Sequence, residues 1–174
     1  SPYYSLYCYK YQNGVFGAYS GGDVNIRLSE YDFNRKEELY AIPGDFLGDG
    51  STQFMVIVGN NYICKFSVDG VSSDIGYCKR IYLTDINGNG KQELMCMTDN
   101  TTNFYEYSKL SNSFVNIYST NSFHYKDKIY VGDFNGDGNT DILRQEYIRS
   151  YGYWSIWNST GKSLFDSGVD KNIF

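Results

Sequence analysis

"GDFNGDGNTDIL", residues 132–143, sets oxygen-bearing side chains at alternate places of a glycine-rich bend: Asp133, Asn135 and Asp137, with Asp141 beyond the turn. Counting Asp133 as position 1, these are positions 1, 3, 5 and 9, with Gly138 at 6 and the Asn139 carbonyl at 7. Hard oxygens wrapped around a glycine bend suit calcium, which takes about six to eight oxygen ligands in a flexible geometry. Magnesium demands a tighter octahedron and keeps its waters, and zinc would want the His or Cys that this loop lacks. The competing reading is a plain turn capped by its own Asp and Asn side chains, which favour turns without any metal.

The same pattern recurs upstream. "YAIPGDFLGDGSTQFMVI" from Tyr40, "IYLTDINGNGKQELMCM" from Ile81 and "IYVGDFNGDGNTDILRQ" from Ile129 align, with first aspartates Asp45, Asp85 and Asp133 spaced 40 and 48 residues apart. The second loop offers Asp85, Asn87, Asn89, the Lys91 carbonyl and Glu93, one negative charge fewer, which predicts weaker binding. The first offers Asp45, Asp49, the Ser51 carbonyl and Gln53, but Leu47 stands where a side-chain oxygen is needed. That loop is either empty or completed by water. An EF-hand is excluded, because it needs flanking helices and a bidentate Glu at position 12, where these loops carry Val56, Cys96 and Arg144.

Short apolar stretches flank each loop, and an apolar residue fills its second position (Phe46, Ile86, Phe134), so strand, loop, strand is expected. Downstream lie "NYICKFSVDGVSSDI", "NFYEYSKLSNSFVNIY" and "YWSIWNSTGKSLF", which read as outer hairpins turning near Asp69-Gly70, Asn112 and Thr160-Gly161. "SLYCYKYQNGVFGAY" has the same form around Asn13-Gly14 without an acidic loop before it. Four strands per unit at a period of roughly 40 to 50 residues is the mark of a β-propeller, whose blades lean on their neighbours. The expected fold is therefore all-β: a partial propeller of about three and a half four-stranded blades. The outer hairpin of an incomplete blade takes 1–19, a charged connection with a short strand or helical turn takes 20–38, and blades take 39–79, 80–127 and 128–170. That count falls short of the roughly four to eight blades of a closed ring, so further blades are expected from the parent chain or a second copy.

Composition agrees. Nineteen Tyr, eleven Phe, eighteen Gly and two Pro in 174 residues favour pleated, half-buried surfaces. A net charge of -5 argues against nucleic acid and anionic membranes, which need clustered Lys and Arg. The sequence has no run of 18 apolar residues, so membrane insertion is not expected, and a chain opening at Ser1 reads as processed or excised. Cys8, Cys64, Cys78 and Cys96 lack C-x-x-C spacing. Cys64 and Cys78 flank a predicted hairpin and are placed to pair in an exported protein, with buried free thiols as the alternative.

At its loops the chain resembles the FG-GAP and VCBS repeat families, the propeller blades of integrin α-subunit heads, bacterial surface proteins and shells of insecticidal and RHS-type toxins. "GDFNGDGNTDIL" is close to the repeat consensus, and "YWSIWNSTGKSLF" is similar to the outer hairpin of the toxin-type repeats. The resemblance covers residues 40–170 and implies a chiefly structural calcium in the loop joining adjacent strands, on an extracellular or cell-surface protein. Leu47 and Gln53 depart from its pattern.

The expected function is non-catalytic: a calcium-stabilised module for protein binding, adhesion or assembly. The alternative is a glycan-binding or polysaccharide-degrading module, since "YGYWSIW" at 151–157 carries rings able to stack on sugars, although strand alternation assigns about half of them to the core. A hydrolase needs a positioned acid and base, and the prominent carboxylates are already assigned to calcium. His124 is the only histidine, and its polar surroundings in "STNSFHYKDK" predict a solvated surface residue.

Overall fold

The computed structural model describes residues 3–6, 9–12, 15–18, 24–27, 39–58, 63–66, 72–147, 154–159 and 164–166. Every regular element among them is a β-strand, and all pairing is antiparallel. No helix among the described residues is long and apolar enough to cross a membrane.

Near the N-terminus, β1 (Tyr3–Leu6) pairs with β4 (Val24–Arg27) and β2 (Tyr9–Gln12) with β3 (Val15–Ala18), making two two-stranded sheets. Three four-stranded sheets follow, each in sequential order. The first holds β5 (Leu39–Gly44), β6 (Gln53–Val58), β7 (Ile63–Phe66) and β8 (Ser72–Asp74). The second holds β9 (Arg80–Thr84), β10 (Glu93–Met97), β11 (Thr102–Ser108) and β12 (Ser113–Thr120). The third holds β13 (Lys128–Gly132), β14 (Asp141–Gln145), β15 (Trp154–Ser159) and β16 (Leu164–Asp166). Each acidic loop joins the first two strands of its sheet. Between β11 and β12, Asn112 turns the chain at φ 51°, a left-handed conformation that Asn tolerates better than most residues. The turns expected at Asn13-Gly14, Asp69-Gly70 and Thr160-Gly161 lie outside the described residues.

The sheets stack through their faces. In β10 all five residues are buried, as a strand covered on both sides must be. Period-two alternation sends Leu94 and Cys96 into a core shared with Phe46 and Met55 of the first sheet, and Met95 and Met97 into one shared with Ile129 and Ile142 of the third. Phe46 meets Phe114 edge to face, with centroids 5.9 Å apart. The outer strand β12 is more open, with Val115 and Ile117 exposed.

One expectation is corrected. Cys78 pairs with Cys96, not with Cys64. After β8 the chain leaves the first sheet, and Lys79 N–H donates to the Met97 carbonyl at 2.7 Å, which sets Cys78 beside the second strand of the next sheet. His124, expected at the surface, is half-buried: its Nδ1 accepts from Lys126 N–H at 3.1 Å, and its ring stacks on Tyr147 at 6.1 Å.

Candidate functional site

The three loops share one frame. The position 1 carboxylate folds back over the turn and accepts from its backbone amides. Asp133 Oδ1 accepts from Gly136 N–H at 2.7 Å and Asp137 N–H at 3.0 Å, and Oδ2 from Gly138 N–H at 2.9 Å. Asp85 does the same with Asn89 and Gly90, and Asp45 with Gly48, Asp49 and Gly50. Such tight bends need left-handed residues, and positions 4 and 6 of every loop are glycines at positive φ.

The position 9 side chain, at the start of the second strand, accepts from the position 2 amide. Gln53 Oε1 takes Phe46 N–H at 2.8 Å, Glu93 Oε2 takes Ile86 N–H at 2.9 Å and Asp141 Oδ2 takes Phe134 N–H at 3.0 Å. All three side chains are buried, and in the first two loops the bond satisfies a buried backbone amide, while at the more exposed Phe134 it is half-buried.

A second tie, which the sequence reading missed, joins consecutive loops through position 8. Gln92 N–H donates to the Asp45 carbonyl at 2.8 Å, and Gln92 Oε1 accepts from Asp45 N–H at 3.0 Å. Thr140 repeats this on Asp85: its N–H reaches the carbonyl at 2.8 Å and its Oγ1 accepts the amide at 2.8 Å. Position 7 of the later loop lies over the position 4 glycine of the earlier one. A Cβ at Gly48 would meet Lys91 Cγ at 2.6 Å, and one at Gly88 would meet Asn139 Oδ1 at 2.1 Å.

The loops differ in what their oxygens face. In the third, Asn135 Oδ1 accepts from Asp137 N–H at 2.8 Å, Asn135 Nδ2 donates to Asp137 Oδ2 at 3.0 Å, and Asp137 Oδ1 accepts from Asn139 N–H at 2.8 Å. The Asn139 amide bond, then the Asn135 side chain, hold the Asp137 carboxyl below its ordinary range. Asp133, Asn135 and Asp137 are exposed at the tip, while Asp141 is buried and its Oδ1 accepts from Ser159 N–H at 3.1 Å. Asp141 thus braces β15 as well as the loop. The expected ligand atoms of Asp133, Asn135, Asp137 and the Asn139 carbonyl are all oxygens, as a hard cation requires. The amide N–H₂ groups of Asn135 and Asn139, however, donate to the Asp137 carboxylate and a cation would displace them, while Asp141, the fourth expected side-chain ligand, is turned to backbone amides.

The second loop adds Glu106 from β11, another residue absent from the sequence reading. Its Oε2 accepts from Asn87 Nδ2 and Asn89 Nδ2, each at 2.9 Å, and its Oε1 pairs with Lys91 Nζ at 2.7 Å. Burial opposes ionisation of Glu106, but the bonds from Lys91, Asn87 and Asn89 outweigh it and lower its pKa. Glu93 Oε1 is buried with no hydrogen-bond partner. Desolvation, with the Asp85 and Glu106 charges adding to it, pushes the Glu93 carboxyl up to about 8. An unpaired buried carboxylate oxygen beside Asp85 is a fit for a cation in this loop too.

In the first loop the fit fails. Gln53 Nε2 donates to Ser51 Oγ at 2.7 Å, the Ser51 carbonyl at 2.9 Å and Asp49 Oδ1 at 3.2 Å. These are the position 5 and position 7 oxygens assigned to metal from sequence, and an amide N–H₂ now occupies them. The Asp49 carboxyl is held low first by the Ser51 hydroxyl and then by the Ser51 amide. Asp45 and Asp49 close a turn that supplies its own donors. Among the described residues, no group of three or more His, Cys, Asp or Glu side chains is spaced as a ready-made metal site. The backbone carbonyls and Asn side chains of these loops lie outside that chemistry.

Residues 85–144, from the first aspartate of the second loop to the fourth residue of β14, match the FG-GAP-like repeat family. No curated protein matches the chain.

Proposed function

We propose, with an FG-GAP-like repeat over residues 85–144 as the premise, that the chain is a non-catalytic, calcium-stabilised partial β-propeller serving protein binding or assembly outside the cell. The observation that carries this reading is the repeated interlock of loops: every four-stranded sheet opens on the same capped turn, and each later loop ties to position 1 of the one before. Serial, in-phase contacts between successive four-stranded sheets are what a propeller requires.

Calcium, when bound, neutralises carboxylates that repel one another at a loop tip with little apolar content. In the third loop Asp133, Asn135, Asp137 and the Asn139 carbonyl would hold it; in the second, Asp85, Asn87, Asn89, the Lys91 carbonyl and Glu93 would. The first loop needs none. The Cys78–Cys96 disulfide supports an exported location, since such bonds persist in oxidising compartments. The prominent carboxylates are committed to backbone amides, which favours scaffold over hydrolase.

Thermal unfolding in EDTA and in calcium tests the metal. The midpoint should rise with calcium, by about 2.7 kcal/mol of stability at a hundredfold excess over the dissociation constant. Asp137→Ala should remove most of that gain. Equal midpoints for the unaltered chain would refute the calcium assignment.

Carbohydrate binding is the second reading. The exposed Tyr130 ring stacks on Trp154 at 5.9 Å, and such platforms suit sugar faces. A reproducible hit on a glycan array, lost in Tyr130→Ala, would favour it.

A further inference from the structure

The second loop leans on a residue outside its own pattern. Glu106 lies in β11, and the register that pairs Leu94 with Tyr105 brings it beside Glu93, the position 9 residue of the loop. Its side chain is 17% exposed. Lys91 Nζ anchors its Oε1 at 2.7 Å, which leaves Oε2 to accept from Asn87 Nδ2 and Asn89 Nδ2, each at 2.9 Å. Against the cost of its burial, those three bonds keep Glu106 ionised.

Asn87 and Asn89 stand at positions 3 and 5, and as ligands of a hard cation each must present its oxygen. The two ends of a primary amide have nearly the same shape, so their hydrogen-bond partners decide which end faces the loop. Here both nitrogens are committed to Glu106, while Asn87 Oδ1 accepts from Asn89 N–H at 3.1 Å and Asn89 Oδ1 from Lys91 N–H at 2.8 Å. In the third loop the amide nitrogens turn inward instead: Asn135 Nδ2 and Asn139 Nδ2 both donate to Asp137, itself a ligand residue, each at 3.0 Å. An independent sign of a ligand at the second loop is Glu93 Oε1, buried without a hydrogen-bond partner near the Asp85 and Glu106 charges.

We propose that Glu106 is a positioning residue of the second loop: it holds the amide nitrogens of Asn87 and Asn89 so that their oxygens, and not their N–H₂ groups, are offered to calcium. The inference rests on calcium binding by this loop and deepens it. Glu106 acts through the two asparagines, as the outer partners of metal ligands commonly do, and Lys91 fixes Glu106 in turn. The second loop is thereby set for an ion before one arrives, whereas in the third a cation first displaces the two amides on Asp137.

Calorimetric titration of calcium into the whole chain carrying Asp137→Ala, which strips a ligand from the third loop, reads the second loop. Adding Glu106→Ala should weaken that binding at least about tenfold. Glu106→Gln keeps the volume of the side chain and should weaken it too, because it loses the charge and brings a competing N–H₂ end. A structural prop is needed whatever stands at 87 and 89, but a residue that orients amides is not. Asn87→Asp with Asn89→Asp puts oxygens at both ends of each side chain, so in that background Glu106→Ala should leave calcium affinity unchanged or raise it. Unchanged affinity in Glu106→Ala and Glu106→Gln, or an equal loss in the Asn87→Asp, Asn89→Asp background, would overturn the positioning role and leave the calcium assignment standing. An Asp137→Ala chain that binds no calcium would remove the assignment for the second loop and this inference with it.

Discussion

Gln92 and Asp45 exchange two hydrogen bonds across a sheet boundary, the Gln92 amide giving to the Asp45 carbonyl at 2.8 Å and its side-chain oxygen receiving the Asp45 amide at 3.0 Å. Gln92→Ala keeps the first bond and strips the second, leaving a half-buried amide short of an acceptor. Urea unfolding should report a loss of about 1 kcal/mol. Thr140→Val, which removes the matching acceptor from Asp85, should cost a similar amount. If both were neutral, the loop-to-loop tie would hold nothing together.

Gln53 accepts two backbone amides with one end and satisfies three loop oxygens with the other. Gln53→Leu fills the same space and does neither, so a buried Phe46 amide loses its partner. The expected cost is about 1 to 3 kcal/mol, identical in calcium and in EDTA. A calcium-dependent cost would mean that the first loop binds the ion after all.

Glu93 holds its proton more tightly in the folded state, its pKa pushed up to about 8 from 4.5. The folded state therefore binds more protons than the unfolded chain between those values, and stability in chelator should fall as pH rises through that window. Glu93→Gln should flatten the slope and raise stability at neutral pH in EDTA, by about 1 to 3 kcal/mol. It should also reduce the response to calcium, because a charged ligand is lost. A variant no more stable than the parent in EDTA would count against a buried, uncompensated carboxylate.

The Cys78–Cys96 disulfide closes a loop across a sequence separation of 18 residues. Reduction should lower stability by about 3 kcal/mol, seen as a shift in the urea midpoint with dithiothreitol. Mass spectrometry of the unreduced chain, digested and mapped, should recover Cys78 linked to Cys96; a peptide linking Cys64 to Cys78 would contradict the pairing.

The loop phase was readable in the sequence because the residues that make it are chemically constrained: aspartate at position 1 to cap three amides, glycines where φ is positive. The position 8 tie was not, since its partner is backbone and either Gln or Thr supplies the acceptor. Glu106 escaped for a related reason. It is the lone carboxylate of an alternating strand, and only the fold carries it to Lys91 and the two asparagines of the second loop. The cysteine pairing was misread because hairpin flanks look close along the chain, while the exit from β8 carries Cys78 into the next sheet. Gln53 was seen as a departure from a ligand pattern, and its second role as donor to those same ligand oxygens needed the side chain's orientation.

The Cys78–Cys96 bond also encloses the whole second loop, Asp85 to Glu93, within a covalent ring. Tension applied at the chain ends bypasses that ring, since the load passes through the sulfur bridge. For the 18 residues of separation, the contour length released on mechanical unfolding should be about 6 nm shorter than in the reduced chain. The second loop is thereby shielded from stretching for as long as the sulfur bridge is intact.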